Sequence, residues 1–262
     1  MKAAALPVPE RRPLASGFPA VRLDGVSKSF SGRTVLDDIS FEVPAGRGFV
    51  ILGRSGTGKS VTLRHIVGLV KPDRGRVFVG GDEISALTGN DLASVRRSIG
   101  FLFQNAALFD SISVGENVAF PLRRHTRLPD AEIRRRAQEK LASVGLEREY
   151  TRMPADLSGG MRKRAGLARA MALEPPLLLV DEPSAGLDPI TSDEIDQLLH
   201  ELKQQGGTTI VMVTHNIPSA RRLGDELVML HEGRIVARGT VPDLDASDEP
   251  LVRAFMSSEH AG

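Results

Sequence analysis

The chain has 262 residues, 41% of them hydrophobic and 26% charged, which is the make-up of a packed globular protein and not of a disordered one. Thirty-four basic against thirty-three acidic side chains leave a formal charge of +1, so no overall field draws the chain to nucleic acid or an anionic membrane surface. The absence of cysteine excludes disulfides, thiolate metal sites and cysteine nucleophiles. Apolar runs such as residues 177–180 fall far short of the roughly 18 residues of a membrane span, and the N-terminus lacks the apolar stretch of a signal peptide, which predicts a cytoplasmic protein.

Residues 1–19 carry Pro7, Pro9, Pro13 and Pro19 and predict a loose, disordered tail. Alternating apolar residues at 21–23 and 39–43 predict half-buried strands, and the wholly apolar run 49–52, ending at Gly53, predicts a buried one. After Lys59, apolar residues at Leu63, Ile66, Val67 and Val70 have helical spacing, stopped by Pro72. Two more buried strands are expected at 177–180 and 210–213, each ending in a polar residue. The long interval between Lys59 and Asp181 exceeds one crossover helix and implies an insertion. That insertion reads as mostly helical: Asp130 is expected to cap a helix through Ile133, Leu141 and Val144 closed by Gly145, and Ser158 to cap another through Met161, Leu167 and Met171. Residues 227–230 and 234–237 flank Glu232-Gly233 and predict an edge hairpin.

Three segments carry chemistry. Gly53-Arg54-Ser55-Gly56-Thr57-Gly58-Lys59-Ser60 fits the pattern G-x-x-x-x-G-K-[ST], set between a predicted strand and a predicted helix as that pattern requires. Its glycines let backbone N–H groups and a helix N-terminus wrap a polyphosphate, Lys59 can neutralise phosphate oxygens and the Ser60 hydroxyl can ligate Mg²⁺. Asp181-Glu182 closes a buried strand at the edge where α/β sheets bind ligands. Alone, such a pair is what a solvated strand end looks like; beside a phosphate loop, Asp181 reads as a metal ligand and Glu182 as the base for an attacking water. Finally, Leu157-Ser158-Gly159-Gly160-Met161 places two glycines in a helix's first turn, a cost of about 1 kcal/mol each relative to alanine, which suggests a second anion site at that helix end.

Leu157 to Met161 resembles the signature sequence of ATP-binding cassette (ABC) ATPases, and the glycine loop and Asp181-Glu182 resemble their two nucleotide motifs. The resemblance implies an α/β P-loop NTPase fold: a parallel-sheet RecA-like core, an N-terminal antiparallel β subdomain and an inserted helical subdomain at about 90–170. The ATPase domain would span 20–240, followed by a C-terminal extension, 241–262. It implies ATP and Mg²⁺ as ligands, with Gly53, Arg54, Ser55, Gly56, Thr57, Gly58, Lys59, Ser60 and Val61 on the nucleotide. Gln104 resembles the glutamine that reaches Mg²⁺ and water, His215 the switch histidine at the γ-phosphate, and Phe30 the ring stacked on adenine, although tyrosine is commoner there. Ser184-Ala185-Gly186-Leu187-Asp188 resembles the loop that pairs across the dimer, while Ser158, Gly159 and Gly160 would complete the partner subunit's site.

Further stretches resemble the Mla/Mce-type lipid-transport branch: the glycine loop with Val61, Phe103-Gln104-Asn105-Ala106-Ala107-Leu108-Phe109, the signature ending in Met161, Asp188-Pro189-Ile190-Thr191 and the tail from Ala246 to Phe255. This implies a homodimer on the cytoplasmic side of the inner membrane, attached peripherally to an integral membrane permease, with an Mce-type lipid carrier and a STAS-like subunit as further partners and phospholipid as cargo. An importer ATPase for amino acids or ions would share every nucleotide residue, and a non-transport cassette is the remote alternative. Between 106 and 121, Leu108, Phe109, Ile112, Val114, Val118 and Phe120 exceed what a simple loop needs, and some are expected to line a groove for the permease. Leu251 and Phe255 are expected to dock the tail on a neighbouring subunit.

Overall fold

The computed structural model describes residue 14 and residues 17–258, the side chains at 205 and 206 apart. The alternating segment near the N-terminus forms two long strands, β1 (Val21–Phe30) and β2 (Arg33–Val43). Ser31 and Gly32 join them with φ +49° and +80°, the two left-handed residues that match a two-residue turn to strand twist. The buried strand β3 (Gly48–Leu52) runs through the glycine loop into α1 (Lys59–Ile66). β4 (Arg74–Val79) and β5 (Asp82–Glu83) then complete an antiparallel sheet of order β2-β1-β4-β5. The inserted lobe contains α2 (Gly89–Arg96), β6 (Ile99–Leu102), α3 (Val114–His125), α4 (Asp130–Ala142) and α5 (Gly159–Ala170). The chain returns through β7 (Leu177–Asp181), α6 (Pro189–Gly206), β8 (Thr209–Thr214) and α7 (Ile217–Leu223). It ends with the hairpin β9 (Glu226–His231) and β10 (Arg234–Gly239), then α8 (Val241–Asp245) and α9 (Pro250–Met256).

The second sheet has the order β10-β9-β3-β8-β7-β6, parallel except for the edge pair β9/β10. Strands buried on both faces divide their side chains between two cores. Phe49, Ile51, Leu179, Val211 and Val213 join the antiparallel sheet and α1 in one cluster. Val50, Leu52, Leu178, Val180 and Met212 join the inserted and C-terminal helices in the other. The six-stranded sheet is therefore the wall between two lobes.

Several sequence expectations change. Helix α1 stops at Ile66, and Val70 lies outside it, because Gly68 turns the chain at φ +69° with its N–H donating to His65 O. Pro72 comes too late to be the stop. Asp130 is the first residue of α4 and Pro129 occupies the cap position, whereas Ser158 does cap α5, accepting from the Met161 N–H at 3.2 Å. The inserted segment is not all helical: β6 adds an edge strand to the core sheet against β7. Most of the stretch 1–19 lies outside the described residues, but Leu14 is half-buried and packs on the first cluster. In the C-terminal extension, Val252, Phe255 and Met256 are buried in this chain's own core, with Leu251 packed beside them, and Arg221 pairs with Asp245 at 2.7 Å. Phe255 is thus packed within the chain, and Leu251 is left half-buried beside it.

One buried acid sets a pH dependence. Asp196 on α6 accepts from Ser219 Oγ at 2.6 Å and is 7% exposed; burial pushes its carboxyl up from 3.8 to about 6. The folded chain thus holds a proton that the unfolded chain has already lost, so stability falls as pH rises through that window. Asp196→Asn keeps an acceptor for Ser219 and is expected to raise stability at pH 7.5 by about 2 kcal/mol, with the gain vanishing near pH 4, as read by denaturant melts at the two pH values.

Candidate active site

The parallel register brings the site together. Leu52 pairs with Thr214, Asp181 with Val213, and Leu102 with Val180. The ends of β3, β8, β7 and β6 therefore deliver the glycine loop, His215, Asp181-Glu182 and Gln104 to one sheet edge.

The loop has room for glycine alone at two positions. A Cβ at Gly53 would stand 2.6 Å from Leu230 O, and one at Gly58, φ +101°, would stand 2.8 Å from Val35 O. Gly56 faces open space. Helix α1 begins without a side-chain cap and without an acid in its first turn, and the N–H groups of Gly56, Gly58, Lys59 and Ser60 have no acceptor among the described residues. Uncommitted donors at a positive helix end fit an anion. Lys59 is buried and donates from Nζ to Gly53 O at 2.7 Å and Arg54 O at 3.1 Å, while pairing with Glu182 Oε1 at 3.2 Å. Arg54 and Ser55 are exposed, and Thr57 and Val61 half-buried.

Asp181 is the last residue of β7, whereas Glu182 lies beyond the strand, so a left-handed turn and not strand alternation sets the two carboxylates apart. Asp181 Oδ1 accepts from Ser60 Oγ at 2.7 Å. Burial pushes its carboxyl above the usual value, opposed by that hydroxyl, so a cation beside it would restore the charged form. No cluster of three or more His, Asp or Glu capable of holding a metal occurs among the described residues; a cation here would need oxygens from a ligand, as Mg²⁺ on a nucleotide has. Glu182 has φ +46°, a strained region for a side chain of its size. Its Oε2 accepts from the His215 N–H at 3.3 Å and lies 2.9 Å from His215 Nδ1. His215 itself is half exposed, leaving its other face for a ligand.

The first turn of α5 packs against the segment that follows Glu182. Ser158 is exposed and Gly159 partly so. A Cβ at Gly160 would lie 2.2 Å from Thr191 Cγ2, and one at Gly159 3.4 Å from Leu187. Gly160 thus lets α5 seat against the first turn of α6. Asp188 caps α6, accepting from Thr191 N at 3.0 Å and Thr191 Oγ1 at 2.6 Å, with Pro189 in the first helical turn.

Gln104 is exposed past the end of β6 and makes no hydrogen bond to the carboxylates. Phe30 stands 44% exposed at the tip of the β1–β2 hairpin, with Lys28 Nζ 5.4 Å from its ring. That hairpin closes a cleft of about 370 Å³ lined by Thr34, Val35, Gly56 and Glu232. Sequence reasoning missed three residues around the site. Lys163 is buried on α5 and donates to Glu182 O at 3.0 Å; burial pushes its ammonium down to about 8. Its signal was a lysine on the apolar side of a helix, masked by the flanking Arg162 and Arg164. Arg169 donates to Ala106 O and Ala107 O at 2.8 and 2.7 Å, and buried Asn117 bonds Phe109 N, Phe109 O, Ile112 O and Ser113 O. Together they strap the loop between Gln104 and α3. Of the apolar residues between 106 and 121, Val114 and Val118 on α3 are core, while Phe109 in the loop and Phe120 on α3, rings 4.9 Å apart, line a groove of about 470 Å³ with Arg97, His125 and Arg169.

Residues 36–185 match the family model of the ABC transporter domain. MlaF of Escherichia coli K12, an intermembrane phospholipid transport system ATP-binding protein, is 42% identical over 90% of this chain and 88% of its own. The probable ribonucleotide transport ATP-binding protein mkl of Mycobacterium tuberculosis H37Rv is 42% identical over 96% of this chain and 71% of its own. Among solved structures, the dimeric post-hydrolysis state of the ATP-binding cassette MJ0796 bound to ADP and Pi superposes with a TM-score of 0.79 at 35% identity, covering 84% of this chain and 98% of the other. The matched segment holds Lys59, Ser158, Asp181 and Glu182 alike, and the chain belongs to the ABC transporter family.

Proposed function

We propose that this chain is the ATP-binding and hydrolysing subunit of a transporter that moves phospholipid between bacterial membranes, working as a homodimer under an integral membrane permease. The observation that carries the hydrolytic reading is the Glu182 carboxylate, held between Lys59 and His215 at the strand edge that also presents Ser60 and Asp181. In this reading the unpaired N–H groups of the glycine loop bind the phosphates and Lys59 exchanges Glu182 for them. Glu182, released, accepts a proton from the attacking water, and His215 orients it. Ser60, Asp181 and Gln104 would hold Mg²⁺, which supplies charge neutralisation for the phosphoryl group. Phe30 would stack on the base. Ser158, Gly159 and Gly160 would serve as donors for the nucleotide of a second copy; the dimeric state of MJ0796 supports a working dimer.

The lipid reading rests on the likeness to MlaF. Mkl and the methionine import protein MetN of Bradyrhizobium diazoefficiens, 40% identical over 90% of this chain and 70% of its own, bear other cargo names. MlaF is favoured because the match spans more of its own length. No helix among the described residues is long and apolar enough to cross a membrane. The Phe109–Phe120 groove is the surface offered to a permease, which would hold the chain peripherally on the inner side of the cell membrane. An Mce-type lipid carrier and a STAS-like subunit are the further partners this reading implies.

Glu182→Gln is expected to slow ATP turnover by roughly 10²–10⁴-fold while leaving ATP affinity intact and accumulating an ATP-dependent dimer on size-exclusion chromatography; unchanged turnover removes Glu182 from its role. Lys59→Ala is expected to weaken ATP binding itself by about 10-fold or more, as read by titration with a fluorescent nucleotide. The chain recovered from native membranes is expected to bring down a permease and phospholipid, identified by mass spectrometry. Recovery with an amino-acid permease ends the lipid reading.

A further inference from the structure

One buried ammonium joins the signature helix to the catalytic turn. Lys163, four residues after Gly159 on α5, is 5% exposed and has the Glu182 carbonyl at 3.0 Å as its one hydrogen-bond acceptor among the described residues. The same carbonyl accepts from Ala185 N at 3.3 Å, and the Glu182 N–H donates to Val213 O at 2.9 Å. The Glu182 peptide is thus tied on both sides while the residue sits at φ +46°, a conformation that persists only when its surroundings over-determine it. The same helix also packs closely on the start of α6, where a Cβ at Gly160 would stand 2.2 Å from Thr191 Cγ2.

We propose that Lys163 is a positioning residue for ATP hydrolysis: its ammonium holds the Glu182 peptide in its left-handed turn and links that turn to the Ser158–Gly160 end of the same helix. The inference rests on the homodimer reading, in which Ser158–Gly160 serve the second copy's nucleotide and Glu182 serves this chain's own. Seating of one nucleotide on the first turn of α5 then reaches the base of the other site through a helix, a lysine and one carbonyl. The requirement is for a charged donor: an apolar side chain of the same length fills the space but leaves the carbonyl with the weaker Ala185 bond alone.

The test uses the full chain in three forms, wild type, Lys163→Met and Lys163→Arg, measuring ATP turnover against ATP concentration, nucleotide affinity and thermal melting. For Lys163→Met, kcat is expected to fall about 10- to 100-fold, with ATP affinity within about twofold of wild type and the sigmoidal dependence on ATP flattened towards hyperbolic. Lys163→Arg, which keeps a charged donor, is expected to recover most of the rate and the sigmoid. Wild-type kcat and cooperativity in Lys163→Met overturn the proposal. A parallel fall in turnover, affinity and melting temperature that arginine does not reverse also overturns it, since it marks a packing role. Failure of the underlying reading looks different: the wild type itself would hydrolyse ATP with hyperbolic kinetics and form no ATP-dependent dimer.

Discussion

Strands buried on both faces leave no place for charge along their length, so the reactive groups collect at their ends. In β3, β7 and β8 all the residues are buried, and their parallel pairing sets Leu52 level with Thr214 and Asp181 level with Val213. The site is a consequence of that alignment. A slip of one residue in β7 would turn the Asp181 carboxylate away from Ser60 and shift the turn at Glu182 relative to Lys59 and His215.

The charges at this edge are few and nearly dry, which makes their pairing decisive. Lys59 and Glu182 are both buried and 3.2 Å apart, and neither can lose its partner without leaving an uncompensated ion. A polyphosphate bound as proposed would satisfy that condition for Lys59, because it would bring more negative charge than the carboxylate it displaced and meet a helix end that no acid occupies. Glu182 keeps His215 when Lys59 turns away.

What could be read from the sequence was what depends on local spacing. The glycine loop, its following helix and the three uniformly apolar strands were legible because each is specified within a dozen residues. β6 was not: Ile99-Gly100-Phe101-Leu102 is four residues with a glycine, and becomes a strand through pairing with β7, far along the chain, in the Ile99–Leu177 register. The end of α1 was misplaced because Val70 continues the apolar period, whereas the left-handed Gly68 decides where the helix closes. Phe255 and Leu251 read as unpartnered because apolar spacing cannot tell a chain's own core from a neighbour's. Lys163 lay hidden among Arg162 and Arg164, since a basic run on a helix ordinarily faces water.

The strap between Gln104 and α3 has a mechanical consequence. Ala106 and Ala107 both lie at positive φ, 57° and 49°, and their carbonyls are gripped by Arg169 while Asn117 grips the stretch beyond. A segment so tethered has little slack to absorb a push. Pressure on Phe109 from outside cannot be dissipated by stretching the five residues back to Gln104, so the span behaves as a short rod with one end under the groove and the other at the reacting edge.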